Sequence, residues 1–303
     1  MAISRNQLVK ELEPGLNALF GLEYKRYENQ HAEIYTTESS DRAFEEEVML
    51  SGFANAQVKG EGSGVSFDEA QETFTARYTH ETVALAFAIT EEAIEDNLYD
   101  RLASRYTKAL ARSMSNAKQV KAVEPLIQGL PSTDNFDSGD GVSLFNTAHP
   151  TVAGTFKNTL TTQADLNETS LEQSMIDIAQ MTDERGLRIA ARGVKMIIPS
   201  ELQFTAERLM KSQGRVGTAD NDVNAIVSMG MIPQGYRVNN YLTDSDAFYI
   251  LTDIPNGMKM FQRAPLTTAM EGDFDTGNVR YKARERYSFG VSDPRGIFGV
   301  EGA

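Results

Sequence analysis

The residues that could carry out chemistry in this 303-residue chain are few and far apart. Ser115 and Lys118 have the Ser-x-x-Lys spacing that places a serine one helical turn from a lysine base. The companion Ser-Asp-Asn and Lys-Thr-Gly motifs are absent, and a position in the middle of a predicted helix indicates solvated side chains. A Ser/Lys hydrolase is therefore only a weak alternative among the possible functions of this chain, and we assign no catalytic residue.

The histidines offer no second route to catalysis. His31, His80 and His149 have no partner at helical spacing and no recognisable carboxylate pattern, so neither a histidine metal site nor a triad is predicted. The chain contains no Cys, which excludes thiolate metal ligands and a cysteine nucleophile. We therefore expect neither a metal nor a cofactor.

An acidic segment after the predicted long helix resembles a calcium loop only superficially. Asp134, Asp137 and Asp140 are separated by three positions, whereas calcium loops place ligands at alternate residues and close with a glutamate. We interpret this segment as a solvated acidic turn.

A glycine-rich segment marks the first candidate contact surface. Gly60, Gly62 and Gly64 lack the Lys-Ser/Thr pair of a phosphate-binding loop, and they precede more strand rather than a helix. We interpret them as hinge glycines at the tip of a hairpin, beside Lys59. Contact with a neighbouring subunit is predicted for all four residues.

The second candidate contact surface is one face of the predicted final strand, which runs from Val279 to Val291. Its apolar side chains alternate with basic ones at period two. The basic face consists of Arg280, Lys282, Arg284 and Arg286. Because the whole chain is acidic, with a net charge of −14, we favour subunit pairing over nucleic-acid binding for this face.

Composition narrows the class of protein further. The balance of 29 basic against 43 acidic residues argues against a chain whose main work is gripping phosphate backbones. The longest apolar run, Val83 to Ile89, is too short to cross a bilayer, so no membrane partner is predicted. A hydrophobic content of 41% is typical of a folded protein.

The predicted elements are extended and unevenly distributed. A short amphipathic segment broken at Pro14 is followed by strands and a hairpin from Phe44 to Ile89. A long helix then begins at Thr90 and ends at Pro125, with Ile94, Leu98 and later apolar residues recurring every four positions. A mixed α/β unit, in which Ser200 is expected to cap a helix, and the basic strand complete an α+β protein. An isolated hairpin is marginal in water, so these pieces favour self-assembly.

Short segments along nearly the whole chain, in this order of elements, resemble the major capsid proteins of tailed bacteriophages, most closely the Mu-type major head subunit group. The segments are 15–20, 144–150 (LFNTAHP), 187–199, 221–225 and 281–290 (YKARERYSFG). The resemblance implies a structural, non-enzymatic protein that self-assembles through hexamers and pentamers into an icosahedral shell.

The same resemblance implies a division of the chain. The tailed-phage capsid fold would comprise an N-arm at 1–40, an E-loop hairpin at 41–89 and a P-domain with its spine helix at 90–165. The mixed α/β A-domain would span 166–263, and returning strands at 264–303 would complete the P-domain. The implied partners are copies of the chain, a separate scaffolding protein, a portal, and double-stranded DNA enclosed without sequence-specific binding. The implied location is the virion, assembled in the host cytoplasm.

One close alternative remains open, because a non-viral encapsulin shell shares this fold. Some phages of the fold also join subunits by Lys–Asn isopeptide bonds. Only Lys59 is placed to attempt such a bond, and without a matched Asn or a catalytic Glu we expect no crosslink.

Overall fold

The computed structural model describes residues 5–90, 92, 99–133, 135–214, 222–272 and 277–303. The helices are α1 (Arg5–Arg26), α2 (Tyr99–Gln128), α3 (Glu168–Ala179), α4 (Gln203–Lys211) and α5 (Ala225–Met229). The strands of the first half are β1 (Thr36–Ser39), β2 (Phe44–Leu50), β3 (Glu72–Thr79), β4 (Glu81–Ile89), β5 (His149–Thr151) and β6 (Gly154–Phe156). Those of the second half are β7 (Gly193–Ile198), β8 (Tyr236–Val238), β9 (Phe248–Thr252), β10 (Met258–Gly272), β11 (Val279–Val291) and β12 (Ile297–Val300).

The strands form two four-stranded sheets and two smaller ribbons. The first sheet has the order β1-β10-β11-β4, and the second has the order β12-β9-β7-β8. The ribbons pair β2 with β3 and β5 with β6. Mixed parallel and antiparallel pairing together with helices packed on the sheets makes this an α+β fold.

Helices α1 and α2 cover one face of the first sheet. Tyr281 and Ala283 of β11 are buried there together with Leu16 and Phe20 of α1 and Met114 of α2. The predicted alternation along β11 is confirmed, because burial switches with every residue over its first half. The opposite face of this sheet is left with the basic residues.

The second sheet forms its own core with α3, α4 and α5. Helix α3 begins with a capping box in which the Asn167 side chain accepts a hydrogen bond from the Ser170 amide. The predicted cap at Ser200 is wrong. A 3-10 turn occupies Ser200–Leu202 instead, and the Ser200 hydroxyl bonds Glu201, so α4 begins without a side-chain cap.

Two predicted helix breaks are also wrong. Pro14 lies inside the continuous helix α1, and Pro125 lies inside α2, which extends to Gln128. A proline removes one intrahelical hydrogen bond, but packing can offset that loss. The turn around Pro125 is held by the core, where Leu126 is fully buried. Ile94 and Leu98, in the first turns of the predicted helix, lie outside the described residues.

The hairpin is shorter than the predicted segment 41–89. Only β2 and β3 pair with each other, and β4 pairs with β11 in the first sheet. Phe87 of β4 packs against Tyr106 of α2 and Tyr281 of β11, so the apolar face of this strand needs the body of the molecule. Within the described ranges, no helix combines the length and apolar composition required to span a membrane.

Candidate functional site

The β2–β3 hairpin is fastened to the body at its root. The Lys259 ammonium of β10 lies 2.5 Å from a Glu47 oxygen and 3.2 Å from a Glu38 oxygen. Burial opposes the charged form, but these two carboxylates raise the pKa of Lys259 above its ordinary value. The Tyr78 hydroxyl adds a buried hydrogen bond to Ser292, with 2.5 Å between the oxygens. We call this region, with Glu38, Glu47, Tyr78, Lys259 and Ser292, the hairpin root. Its buried contacts fix the hairpin to the body of the subunit.

His80, the single residue between β3 and β4, joins both sides of this root. Its Nδ1 lies 2.9 Å from the Ser288 hydroxyl of β11, and its Nε2 lies 3.0 Å from the Ser40 hydroxyl. Burial and the neighbouring Arg286 lower the pKa of His80, while Glu45 opposes that shift. The ring is therefore stabilised in its neutral form, in which one nitrogen donates and the other accepts.

Beyond this root, the loop at 51–71 exposes apolar side chains. Val58 is 101% exposed and Phe67 is 98% exposed, relative to the free residue. Lys59 and the glycines at 60, 62 and 64 are exposed beside them, and the Gly60 carbonyl accepts a turn hydrogen bond from the Ser63 amide. Gly62 has a φ of +78°, which favours glycine at this turn. The loop thus presents a surface that the chain itself does not cover.

The far end of the loop is tethered to the body by one arginine. Arg185 donates a hydrogen bond to the Glu69 carbonyl and lies 3.5 Å from the Asp68 carboxylate. The Ala54 amide donates to the other Asp68 oxygen at 2.7 Å and closes the base of the loop. Hydrogen bonds from the backbone amides of Ala54 and Glu69 lower the pKa of Asp68. Residues 55–67, which lie between Ala54 and Asp68, make none of these contacts.

The basic face of β11 is flanked by small side chains. Lys282 is directly opposite Ala86 of β4 and Ala269 of β10, and residues directly opposite in an antiparallel pair share a face. Arg284 is likewise opposite Ala84 of β4. The long cationic side chains therefore stand beside a low, alanine-rich surface on the sheet.

The structure divides the four predicted basic residues into two groups. Arg280, Lys282 and Arg284 are exposed as predicted. Arg286 is half-buried, and its Nε donates to the His80 carbonyl at 3.4 Å. Arg286 therefore belongs to the hairpin root. The glycine segment and the basic strand are not brought together by any contact among the described residues of one chain.

The Ser115/Lys118 pair is not an open catalytic site. The prediction of solvated side chains is wrong, because Ser115 is 3% exposed and Lys118 is 8% exposed. The Lys118 ammonium lies 3.2 Å from a Glu285 oxygen beneath the sheet. Burial raises the pKa of Glu285, and Lys118 partly opposes that shift. A sequence signal existed, because Glu285 interrupts the apolar face of β11 between Ala283 and Tyr287.

His149 also has a partner that its sequence context did not indicate. Its Nδ1 lies 2.6 Å from an Asp140 oxygen, and its Nε2 lies 2.9 Å from the Asn158 amide oxygen. The predicted solvated turn is therefore wrong for Asp140, whose side chain is 2% exposed. Burial opposes its charge, but hydrogen bonds from His149 and Ser138 lower the pKa of Asp140. Asp134 lies outside the described residues.

Within the part of the chain that the structure describes, no group of three His, Asp or Glu side chains is arranged to hold a metal ion. The features that remain are an uncovered hairpin loop, a basic strand face and two helix-covered sheets. Together they leave exposed apolar and basic side chains on the surface of the subunit.

Comparison with known proteins identifies the class. Residues 72–300 match the family described as phage capsid protein. The chain therefore belongs to the phage capsid protein family, which consists of structural proteins rather than enzymes. A search of curated protein sequences finds no match.

Solved structures share the fold at low sequence identity. The capsid of an empty GTA particle aligns with a TM-score of 0.58 and 13% identity, covering 90% of this chain and 89% of that one. The capsid of Myoviridae phage XM1 gives 0.54 and 12%, covering 89% of each chain. A virus-like particle from Pyrococcus furiosus gives 0.55 and 10%, covering 95% of this chain and 98% of that one. This chain has the tailed-phage capsid fold, as predicted.

Proposed function

We propose that this chain is the major head subunit of a tailed bacteriophage and that its copies form hexamers and pentamers of an icosahedral shell. Family membership and fold support the shell role. A closed shell repeats each subunit contact many times, so individually weak contacts suffice. The particle is then held together by contacts between surfaces that remain exposed in a single subunit.

Within this proposal the chain divides into the N-arm at 1–40, the E-loop at 41–89, the P-domain at 90–165 and 264–303, and the A-domain at 166–263. Two hydrophobic cores support this division, because one lies between the first sheet and α1 and α2 and another lies between the second sheet and α3, α4 and α5. A third core, with Tyr249 of β9 and Tyr287 of β11, joins the two sheets. Strand β4 falls within the E-loop by residue number but pairs in the first sheet. The part of the proposed E-loop that lies outside the first sheet is thus the β2–β3 hairpin.

The observation that carries the proposal is the exposed loop at 51–71. Val58 and Phe67 are almost fully exposed, and burying such side chains against a neighbour is favourable by about 1.5–3 kcal/mol each. We propose that this loop, with Lys59 and the glycines at 60, 62 and 64, lies on an adjacent copy. The glycines let one sequence fit five-fold and six-fold surroundings.

We propose a second contact through the basic face of β11. Arg280, Lys282 and Arg284 are cationic, and the first 90 residues hold most of the acid excess of the chain. Charge complementarity steers subunits into register more than it adds affinity. Arg286 is not part of this proposed contact, because it is half-buried and its Nε donates a hydrogen bond to the His80 carbonyl.

We also propose finer assignments that rest on the sequence resemblance. The chain is placed in the Mu-type major head subunit group and assembles in the host cytoplasm with a separate scaffolding protein and a portal. Double-stranded DNA is enclosed without sequence-specific binding.

The test is assembly of the full chain with the loop made polar. In Val58→Ser/Phe67→Ser, we expect a folded subunit with an unchanged unfolding midpoint and few closed particles by negative-stain electron microscopy. Val152→Ser, at an exposed site in the β5–β6 ribbon, is the matched control and assembles normally. Normal shells from the double variant would refute the role of the loop.

The encapsulin-type shell is the alternative with less support, because the matching family is one of phage capsid proteins. Particles purified from their natural source distinguish the two. A phage head contains double-stranded DNA, whereas an encapsulin contains a cargo protein.

A further inference from the structure

Positive charge is concentrated on the outer surface of the helical layer. Arg105, Lys108 and Arg112 are exposed on one face of α2, at positions that successive helical turns bring into line. Within the described part of the chain, neither Lys108 nor Arg112 forms an ion pair. This stripe contrasts with the net negative charge of the whole chain.

The stripe borders a groove between α1 and α2. The groove is lined by Lys108, Arg112, Ser113 and Asn116 of α2, with Tyr27 following α1. Every one of these side chains carries a hydrogen-bond donor. The remaining lining residues are Ala109 and Glu23.

The one carboxylate in the groove is already engaged. An Arg26 nitrogen lies 3.5 Å from a Glu23 oxygen, and the Tyr27 hydroxyl donates to the same oxygen at 3.3 Å. Lys25 is exposed beside Arg26 in the last turn of α1. The exposed basic stripe of α2 therefore borders a donor-lined groove whose carboxylate, Glu23, is already paired with Arg26 and Tyr27.

This composition fits a polyanion better than another protein. Cores of protein interfaces are rich in aromatic side chains and poor in Lys, whereas the only apolar side chain lining this groove is Ala109. Phosphate oxygens, in contrast, are contacted by Arg, Lys, Ser, Asn and Tyr, the set found here. The net negative charge of the chain does not prevent this, because salt screens charges beyond about 8–10 Å.

We propose that the groove between α1 and α2 binds the phosphate backbone of duplex DNA without reading its sequence. The inference rests on the proposed shell function, which supplies the enclosed DNA and requires this face to point inward. It makes the interior of the shell a set of weak, evenly repeated phosphate contacts rather than a uniformly acidic wall.

The test uses the full-length, unassembled subunit and a fluorescent mixed-sequence duplex of about 25 base pairs, followed by anisotropy as salt is raised. Each lost phosphate contact lowers the slope of log affinity against log salt by about 0.9. We expect Lys108→Gln/Arg112→Gln to lower it by about 2. Arg208→Gln/Lys211→Gln, which removes two exposed charges from α4, is the matched control and leaves the slope unchanged.

Several results would overturn the inference. These are no binding by the parent chain at low salt, an equal loss in the control pair, or a shell reconstruction with the α1–α2 face outward. Unchanged DNA binding with failed assembly in Lys108→Gln/Arg112→Gln would assign the groove to a neighbouring subunit instead. Shell formation is scored separately by electron microscopy, so closed shells without DNA binding would refute this inference and leave the proposed function intact.

Discussion

The hairpin loop at 51–71 and the first sheet differ in where they place side chains that are costly in their surroundings. In the loop, apolar Val58 and Phe67 remain in water. In the sheet, the charged pair Lys118 and Glu285 is taken out of water beneath α2. The buried charges under the sheet are paired within one chain, whereas the apolar side chains of the loop are not covered by any described part of the chain.

If the loop contacts a neighbouring subunit as proposed, the difference predicts that subunit stability and shell contacts are carried by separate parts of this molecule. Substitutions in the sheet should change the free energy of unfolding of a single subunit. Substitutions in the loop should leave that free energy unchanged and act only on assembly. The following predictions test this separation.

The largest expected effect is at the buried ion pair. Lys118→Met leaves the Glu285 carboxylate buried without its cation, and breaking such a pair costs about 3–5 kcal/mol. Urea unfolding of the unassembled subunit measures the loss. The double variant Lys118→Met/Glu285→Leu should recover most of it, because no charge then remains buried. A single variant as stable as the parent would show that water reaches Glu285.

The next effect is at the boundary between the two regions. Lys259→Met removes the cation that joins Glu47 and Glu38 to the body, at a cost of about 1–2 kcal/mol. Amide hydrogen exchange should accelerate in β2 and remain unchanged in β9. As control, Arg42→Gln at an exposed ion pair should change little. Unaltered exchange in β2 would mean that Lys259 does not hold the hairpin.

A smaller, stabilising effect is expected in the turn before β9. Burial and the neighbouring Asp246 raise the pKa of Asp244 from 3.8 to about 6. Between about pH 4 and pH 6 the folded state therefore holds a proton that the unfolded state has released, and the associated stability is lost as pH rises through the folded pKa. Asp244→Asn should stabilise the subunit by about 1 kcal/mol near pH 7.5, after allowance for solvent screening.

The pH dependence provides the check on that substitution. Thermal melts of the parent and Asp244→Asn should converge only below about pH 3, where the carboxyl group is protonated in both the folded and the unfolded state. An advantage that persisted at acid pH would have another cause.

The smallest effect on subunit stability is expected at the loop tip. Replacing Gly60 and Gly64 by Ala, while Gly62 with its φ of +78° is kept, should change the unfolding free energy by less than about 0.5 kcal/mol, because the loop is exposed and makes few contacts. The yield of closed shells should nevertheless fall as the tip stiffens. A large loss of subunit stability would contradict the separation of the two regions.

The periodic elements could be predicted because their signals are local. Alternating side chains in β11 predicted the exposure of Arg280, Lys282 and Arg284. The apolar residues of α2 likewise predicted a long helix. The capsid fold itself was indicated by short segments that resemble tailed-phage capsid proteins, taken together with the order of these elements.

The pairings between distant segments could not be predicted in this way. No local pattern connects Lys118 with Glu285, 167 positions later, or His80 with Ser288. Arg286 resembles its basic neighbours in sequence, but its place at the hairpin root depends on where His80 lies.

The amino-acid sequence alone thus determined the kinds of elements, their order and the faces they bury, since side-chain periodicity acts over a few residues. Tertiary structure alone decided that β4 pairs with β11 instead of extending the hairpin, and that α2 continues through Pro125. It also decided that Lys118 is buried in an ion pair with Glu285 instead of lying in an open catalytic site. The physical reason is that burial and charge pairing depend on which distant segments meet, and their free energies exceed local preferences.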